Sequence, residues 1–178
     1  MTIEEIENIW EREFGFMFSF GEKHFMRRHL SFETQSELME YIRTRNPLDC
    51  YVSVAFYEYP MDMAVWKGAE LFLDFDSREN TRVAYADALT VYEVLLDDFG
   101  LEQLSLRFSG SKGYHLVVHD PELRGFDSRS RDEIADYLVV RYRVETLDRA
   151  AVRDVRRLRR IAGTRNSKSG RLCEEKQI

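Results

Sequence analysis

Cysteine is nearly absent: Cys50 and Cys173 are the only two in 178 residues, far apart and without a CxxC pair. That argues against a disulfide framework and against a structural zinc site, and it fits a chain kept in a reducing cytoplasm. Long apolar runs are missing too; none approaches the ~18–20 residues that a membrane span needs. The opening "MTIEEIENIW" is acidic and is no signal peptide. There is no internal repeat and no low-complexity linker. An overall basic field is also lacking, because the formal net charge is -6, so the chain as a whole does not advertise a nucleic-acid partner.

What is present suits one folded domain over residues 1–178, with 44% hydrophobic and 33% charged residues. Positive charge is concentrated late in the chain. Arg149, Arg153, Arg156, Arg157, Arg159, Arg160, Arg165, Lys168 and Arg171 face a single acid, Asp154, in that stretch. Such a block is a solvated helix face or tail in the plain reading, and a phosphate-binding surface in the sharper one.

Ile3, Ile6 and Trp10 recur at helical spacing after Thr2, which predicts a helix over 3–12. A second helix starts at Thr34 or Ser36 and is stopped by Pro47. "CYVSVAFYEY" and "GAELFLDFD" read as strands. Residues 81–98 read as a helix with Ala84, Ala88, Val91 and Leu95 on its buried side. "LEQLSLRF" and "YHLVVH" flank a glycine-containing turn and form a hairpin. A helix opens at Asp127 or Ser128 and runs over 128–141. A further helical stretch is expected near 149–159, followed by the loop "AGTRNSKSG". Phe16, Met17 and Phe18 form either a docking patch or a buried N-terminal packing cluster. The fold class is α+β, with a mainly antiparallel sheet flanked by helices.

Three pieces can carry chemistry. In "LFLDFD", strand alternation puts Phe72, Asp74 and Asp76 on one face, the two acids ~6–7 Å apart at Cα. Like charges that close call for a cation between them, and carboxylate oxygens suit Mg²⁺ or Mn²⁺. In "RFSGSKGYHLVV", backbone N–H groups, a hydroxyl, Lys112 and His115 can meet a phosphate. In "TLDRAAVRDVRRLRRIAGTRNSKSG", Asp148 can supply a third ligand, and Arg160, Asn166 and Lys168 can contact phosphate. Each piece alone also has a plain reading: a strand end in solvent, an ordinary hairpin turn, and a charged helix with a polar tail.

Their order resembles the archaeo-eukaryotic primase superfamily, and most closely the small catalytic subunit of archaeal DNA primase. "EREFGFMFSFGEKHFMRRHLSF", "YVSVAFYEYP" and "RSRDEIADYL" are similar to further segments of that family, so the likeness runs nearly end to end. It implies that Asp74, Asp76 and Asp148 are catalytic acids holding two Mg²⁺ or Mn²⁺ ions. The family places its third acid twelve residues before the basic residue that precedes the loop, and Asp148 lies twelve residues before Arg160, so the resemblance implies Asp148. The resemblance also implies triphosphate contacts at Ser109, Lys112, His115, Arg160 and Asn166, and a nucleotide contact at Arg28. A single-stranded DNA template, nucleoside triphosphates and a large primase subunit are the implied partners, with no membrane. Ala162 and Asn166 depart from the family loop, which tends to have Pro and His. A zinc-knuckle insert and an additional helical region are missing, so the chain looks like a pared-down catalytic core. The implied activity is primer synthesis. The alternatives are a gap-filling or repair polymerase that extends but does not initiate, and a non-catalytic nucleic-acid or partner-binding module.

Overall fold

In the computed structural model, which describes residues 2–178, the N-terminal segment is extended and not helical. A single 3-10 turn at Ile9–Glu11 follows a left-handed Asn8. The spacing of Ile3, Ile6 and Trp10 misleads because tertiary bonds hold this segment. Glu4 N donates to Ala162 O at 3.1 Å, and the Glu4 carboxylate accepts from Arg159 at 2.6 Å and from Ala162 N at 3.0 Å.

The chain then forms β1 (Phe14–Phe20) and β2 (Lys23–Leu30), an antiparallel hairpin. Phe16 is fully buried against Phe32 and Tyr41, as a packing cluster requires, whereas Met17 and Phe18 are half-buried. Helix α1 (Gln35–Arg45) is capped by Thr34, whose hydroxyl accepts from Glu37 N at 3.3 Å, and a left-handed Asn46 ends it just before Pro47.

Both of the long strands read from sequence are broken. The first divides into β3 (Asp49–Ser53) and β4 (Ala55–Tyr59), the second into β5 (Ala64–Ala69) and β6 (Leu71–Asp76). The breaks at Val54 and Glu70 meet, with Glu70 N donating to Val54 O at 2.9 Å. Carbonyls at these breaks are taken by two buried arginines. Arg12 donates to Ser53 O and Val54 O, and Arg131 donates to Ala69 O and Glu70 O. A buried carbonyl without a donor is costly, so these contacts are what permit the strands to switch sheets.

Helix α2 (Thr81–Asp97) buries Ala84, Ala88, Val91 and Leu95 as its periodicity predicts. Strands β7 (Leu104–Phe108) and β8 (Gly113–Val118) form the expected hairpin, and α3 (Ser128–Tyr142) is capped by Asp127. The expected helix over 149–159 is only partly present. It ends as α4 (Arg149–Arg153), and Leu158–Arg160 forms β9, whose Arg160 pairs with Tyr51 of β3. Arg159 and Arg160 are buried and need carboxylates on opposite sides, which a strand supplies and a solvated helix does not. A short β10 (Glu174–Glu175) pairs with β7.

The strands make one sheet in the order β2-β1-β3-β9, a second in the order β10-β7-β8-β6, and a two-stranded β4-β5 ribbon, all antiparallel. One face of the second sheet packs Leu71, Leu73, Phe75, Leu106 and Leu116 against α2 and α3. The first sheet packs Phe14, Phe16 and Val52 against Leu38 of α1. No helix among the described residues is long and apolar enough to cross a membrane.

Between the sheets lies a buried charge network centred on Glu70. Its carboxylate accepts from Arg12 at 2.6 Å, from Arg159 Nε at 3.1 Å, and lies 2.9 Å from His119 Nδ1. Burial alone raises the Glu70 carboxyl, but Arg12 and Arg159 overcome this and hold it well below the usual range. Glu70→Gln leaves two buried guanidinium groups short of counter-charge. The expected loss is about 3–5 kcal/mol, read as a lower midpoint in urea unfolding. A midpoint equal to the parent's contradicts the role given to this network.

Candidate active site

Strand β6 is the edge of the second sheet, and its outer face carries Phe72, Asp74 and Asp76. In the ladder Asp74 stands opposite His115 and Asp76 opposite Gly113. A Cβ at position 113 would collide with Phe75 O and Asp76 Oδ1, so only glycine lets the Asp76 carboxylate lie over the neighbouring strand. The late acid is tied directly to this strand. Asp148 N donates to Asp74 O at 2.8 Å, and Leu147 bridges Phe75. Asp148 also caps α4, with Oδ1 accepting from Ala150 N at 3.0 Å and Ala151 N at 3.2 Å.

Cations stand among these acids, as two carboxylates on one strand face require. Arg157 Nη2 lies 3.3 Å from Asp74 Oδ2 and 3.9 Å from Asp148 Oδ2, while Lys112 Nζ lies 3.3 Å from Asp76 Oδ2. They do not fully offset the repulsion. Burial first, then the charges of Asp76 and Asp148, push the Asp74 carboxyl up to about 6 against the opposing pull of Arg157. Its other oxygen, Oδ1, is buried with no hydrogen-bond partner. His115 Nε2 lies 3.6 Å from that oxygen, too far for a hydrogen bond. Nor do the two form a true ion pair, because burial and then Arg107, Arg160, Arg159 and Arg157 hold the imidazole down to about 3, leaving it neutral.

A cleft of about 830 Å³ opens in front of these groups, lined by Asp74, Asp76, Ser109, Lys112, His115, Arg157, Arg160, Asn166 and Lys168. The first sheet supplies its far side with Met17, His24, Asp49 and Tyr51. The 109–113 turn is closed by Ser109, whose hydroxyl accepts from Gly113 N at 3.3 Å. Gly110 is left-handed, with φ 85°, and packs against Asn166 and the Arg171 carbonyl. Asn166 braces the turn: its amide reaches Ser109 O at 3.5 Å, and its Oδ1 accepts from Lys168 N at 3.1 Å.

The structure thus brings Asp74, Asp76, Ser109, Lys112, His115, Arg160, Asn166 and Lys168 to one cleft, with Asp148 joined behind Arg157. It does not bring Arg28 there. Arg28 makes a two-point bond to the buried Glu13 at 2.9 and 2.8 Å and is absent from the cleft lining. Arg160 lines the cleft but is heavily engaged, by Asp49 Oδ1 at 2.5 Å, Arg165 O at 3.0 Å and Tyr51 Oη at 3.0 Å. Two members escaped sequence reasoning. Asp49 also accepts from Ser167 N and Oγ at 2.9 and 2.6 Å, and so fixes both Arg160 and the 166–168 loop. Arg157 was one cation among nine, and nothing in its spacing distinguished it.

Asp74, Asp76 and Asp148 carry hard oxygens of the kind a divalent cation takes, and Asp74 Oδ1 is buried without a hydrogen-bond partner, although the ligand atoms of the three do not all lie within 4.8 Å of one another. Among the described residues, Glu7, Glu70 and His119 have ligand atoms within 4.8 Å of one another. That group is already neutralised by Arg12, Arg159 and Arg124, which makes it a salt-bridge hub and a poor cation site.

Residues 73–175 match the family model described as DNA primase small subunit. The DNA primase small subunit PriS of Methanothrix thermoacetophila is 37% identical over 150 residues, covering 73% of this chain and 38% of that protein. PriS of Methanococcoides burtonii is 36% identical over 146 residues, covering 72% and 37%. The chain therefore spans less than two fifths of the length of these relatives. Among solved structures, the polymerase domain of Mycobacterium tuberculosis ligase D in complex with DNA aligns with a TM-score of 0.70 at 15% identity, covering 95% of this chain and 74% of that one. The catalytic domain of primase RepB' in complex with initiator DNA aligns at 0.54 and 18%, covering 94% and 77%. The α+β antiparallel fold is the one these polymerase and primase domains share.

The raised Asp74 carboxyl sets a pH test. A carboxyl that binds its proton more tightly when folded costs stability once ionised, fully above about pH 6 and not at all below about pH 4. Asp74→Asn is therefore expected to be more stable than the parent at pH 8, by at most about 3 kcal/mol. The advantage should shrink from about pH 6 downward and vanish near pH 4 in urea unfolding. Equal stability at pH 8 contradicts the crowding of charge at this position.

Proposed function

The chain belongs to the DNA primase small subunit family, and on that premise we propose that it catalyses template-directed nucleotidyl transfer, making short primers from nucleoside triphosphates. One observation carries this reading. Asp148, distant in sequence, is hydrogen-bonded through its backbone to Asp74 on the strand that faces the 109–113 turn. Two acids and the turn line one cleft, and a third acid is joined to the same strand through its backbone, an arrangement that two-cation phosphoryl chemistry can use.

Asp74, Asp76 and Asp148 are the residues that would hold Mg²⁺ or Mn²⁺. When bound, two such ions lower the pKa of the attacking 3′-hydroxyl and offset charge on the departing pyrophosphate. The protein's own groups bind and orient the triphosphate. Ser109, Ser111 and Lys112 of the turn line the cleft, and Lys112 sits beside Asp76 where it can meet a phosphate oxygen. His115, buried and held neutral, lines the cleft where it can donate a hydrogen bond to a phosphate oxygen without adding charge. Arg160 is held in place by Asp49 and Tyr51, so its guanidinium needs no reorganisation on binding. Lys168 stands exposed at the rim.

A single-stranded DNA template is the proposed nucleic-acid partner, and a large primase subunit the proposed protein partner. The chain's net negative charge confines template binding to the cationic side of the cleft. Replacing Asp74 and Asp76 with Ala should reduce primer synthesis or extension in Mn²⁺ by more than about 100-fold, beyond the ~10–100-fold cost of losing a group behind the ligands. Activity close to the parent's rejects the assignment of these acids. Dinucleotide formation from two free nucleotides on single-stranded template is expected of an initiating enzyme. Extension of a supplied primer without dinucleotide formation would instead identify a gap-filling polymerase.

A further inference from the structure

Arg157 differs from its two basic neighbours in how it is held. Arg159 is locked by Glu4 and Glu70, and Arg160 by Asp49, Tyr51 and the Arg165 carbonyl. The Arg157 backbone is equally fixed, since its N–H donates to Asp154 O at 3.2 Å and its carbonyl accepts from Val54 N at 2.8 Å. Its side chain, among the described residues, makes a single hydrogen bond, to Asp74 Oδ2 at 3.3 Å. The same nitrogen faces Asp148 Oδ2 at 3.9 Å, so two of the three acids share one guanidinium nitrogen. Most of the N–H donors of this guanidinium are thus uncommitted. The group is about a third exposed and lines the cleft together with Ser109, Lys112 and His115.

Resting on the nucleotidyl-transfer reading above, we propose that Arg157 is a positioning residue: the resident counter-ion of the acid cluster, which exchanges those carboxylates for the triphosphate when cation and nucleotide bind. Three physical points support the exchange. The acids cannot stay ionised together without a neighbouring cation, and Arg157 is the one that touches two of them. A guanidinium at that position competes with any divalent ion for Asp74 and Asp148, so it weakens cation binding in the absence of nucleotide. Phosphate is as good a partner for a guanidinium as carboxylate is, and it arrives in the cleft that the side chain already lines. Arg157 therefore links the two binding events: nucleotide draws it off the acids, which favours cation binding, and by reciprocity cation favours nucleotide.

The test measures Mn²⁺ binding directly, by the electron paramagnetic resonance signal of free Mn²⁺, on the intact chain without nucleotide. It then measures binding of a non-hydrolysable nucleoside triphosphate analogue at saturating Mn²⁺. For Arg157→Gln the expected changes have opposite sign. Mn²⁺ binding alone tightens by about tenfold and analogue binding weakens by about tenfold, a size usual for coupling between sites. Arg157→Lys, which keeps the charge, should stay nearer the parent in both. A residue that only supports the fold would weaken both or neither, and either result overturns the proposal. Failure of the parent and of Arg157→Gln alike to bind Mn²⁺ at millimolar concentration removes the metal-dependent reading of the site as well. Parent binding with no tightening in the Gln variant rejects the exchange alone.

Discussion

The fold depends on one buried carboxylate. Glu70 sits where β5 gives way to β6, and its charge is shared by Arg12 from the N-terminal segment, Arg159 from β9 and His119 beyond β8. Glu4 extends the network, meeting Arg159 and, as a charge contact, Arg107 of β7. Every major piece of the chain on this side is thus joined through ions that are out of water. Such ions add little stability over well-packed apolar groups, but leaving one unpaired is expensive. Arrangements of the two sheets that leave one of these charges unpaired are therefore penalised.

The same constraint explains the site. On β9 the side chains alternate, so Arg159 turns into the Glu70 hub while Arg160 turns to Asp49 and the cleft. The basic run "RRLRR" thereby serves two purposes with successive residues, one internal and one facing the cleft. Arg157, just before the strand, reaches the acids on β6. Arg157 beside Asp74 and Asp148, and Lys112 beside Asp76, offset part of the repulsion among these carboxylates.

Much of this was legible in the sequence. Helices α1 and α3 carry their own caps and α2 its apolar stripe, and the "DFD" and "SGSKG" stretches announce a strand end and a turn. The N-terminal segment was not legible, because a 3.6-residue spacing says nothing about Glu4 being drawn to Ala162; Trp10, counted toward the helical spacing, is 53% exposed. The β1–β2 hairpin was overlooked although Phe14, Phe16, Phe18 and Phe20 recur at every second position; its partner β2, "KHFMRRHL", is charged and exposed and carries no such signal. The breaks at Val54 and Glu70 are set by Arg12 and Arg131, remote residues whose roles no local pattern records. At the candidate site the structure brings most of the motif residues to one cleft, whereas Asp49 and Arg157, whose contacts are distant in sequence, were missed. Arg28, taken from resemblance, is spent on Glu13.

The central claim is that the three acids form one cation site facing the 109–113 turn. The most direct measurement is a crystal structure of the chain soaked with Mn²⁺ and a nucleoside triphosphate, with anomalous scattering used to locate the manganese. The account predicts manganese peaks bounded by Asp74, Asp76 and Asp148, with the triphosphate against Ser109, Lys112 and His115. Manganese at Glu7, Glu70 and His119 instead, or a triphosphate bound away from this cleft, would contradict it.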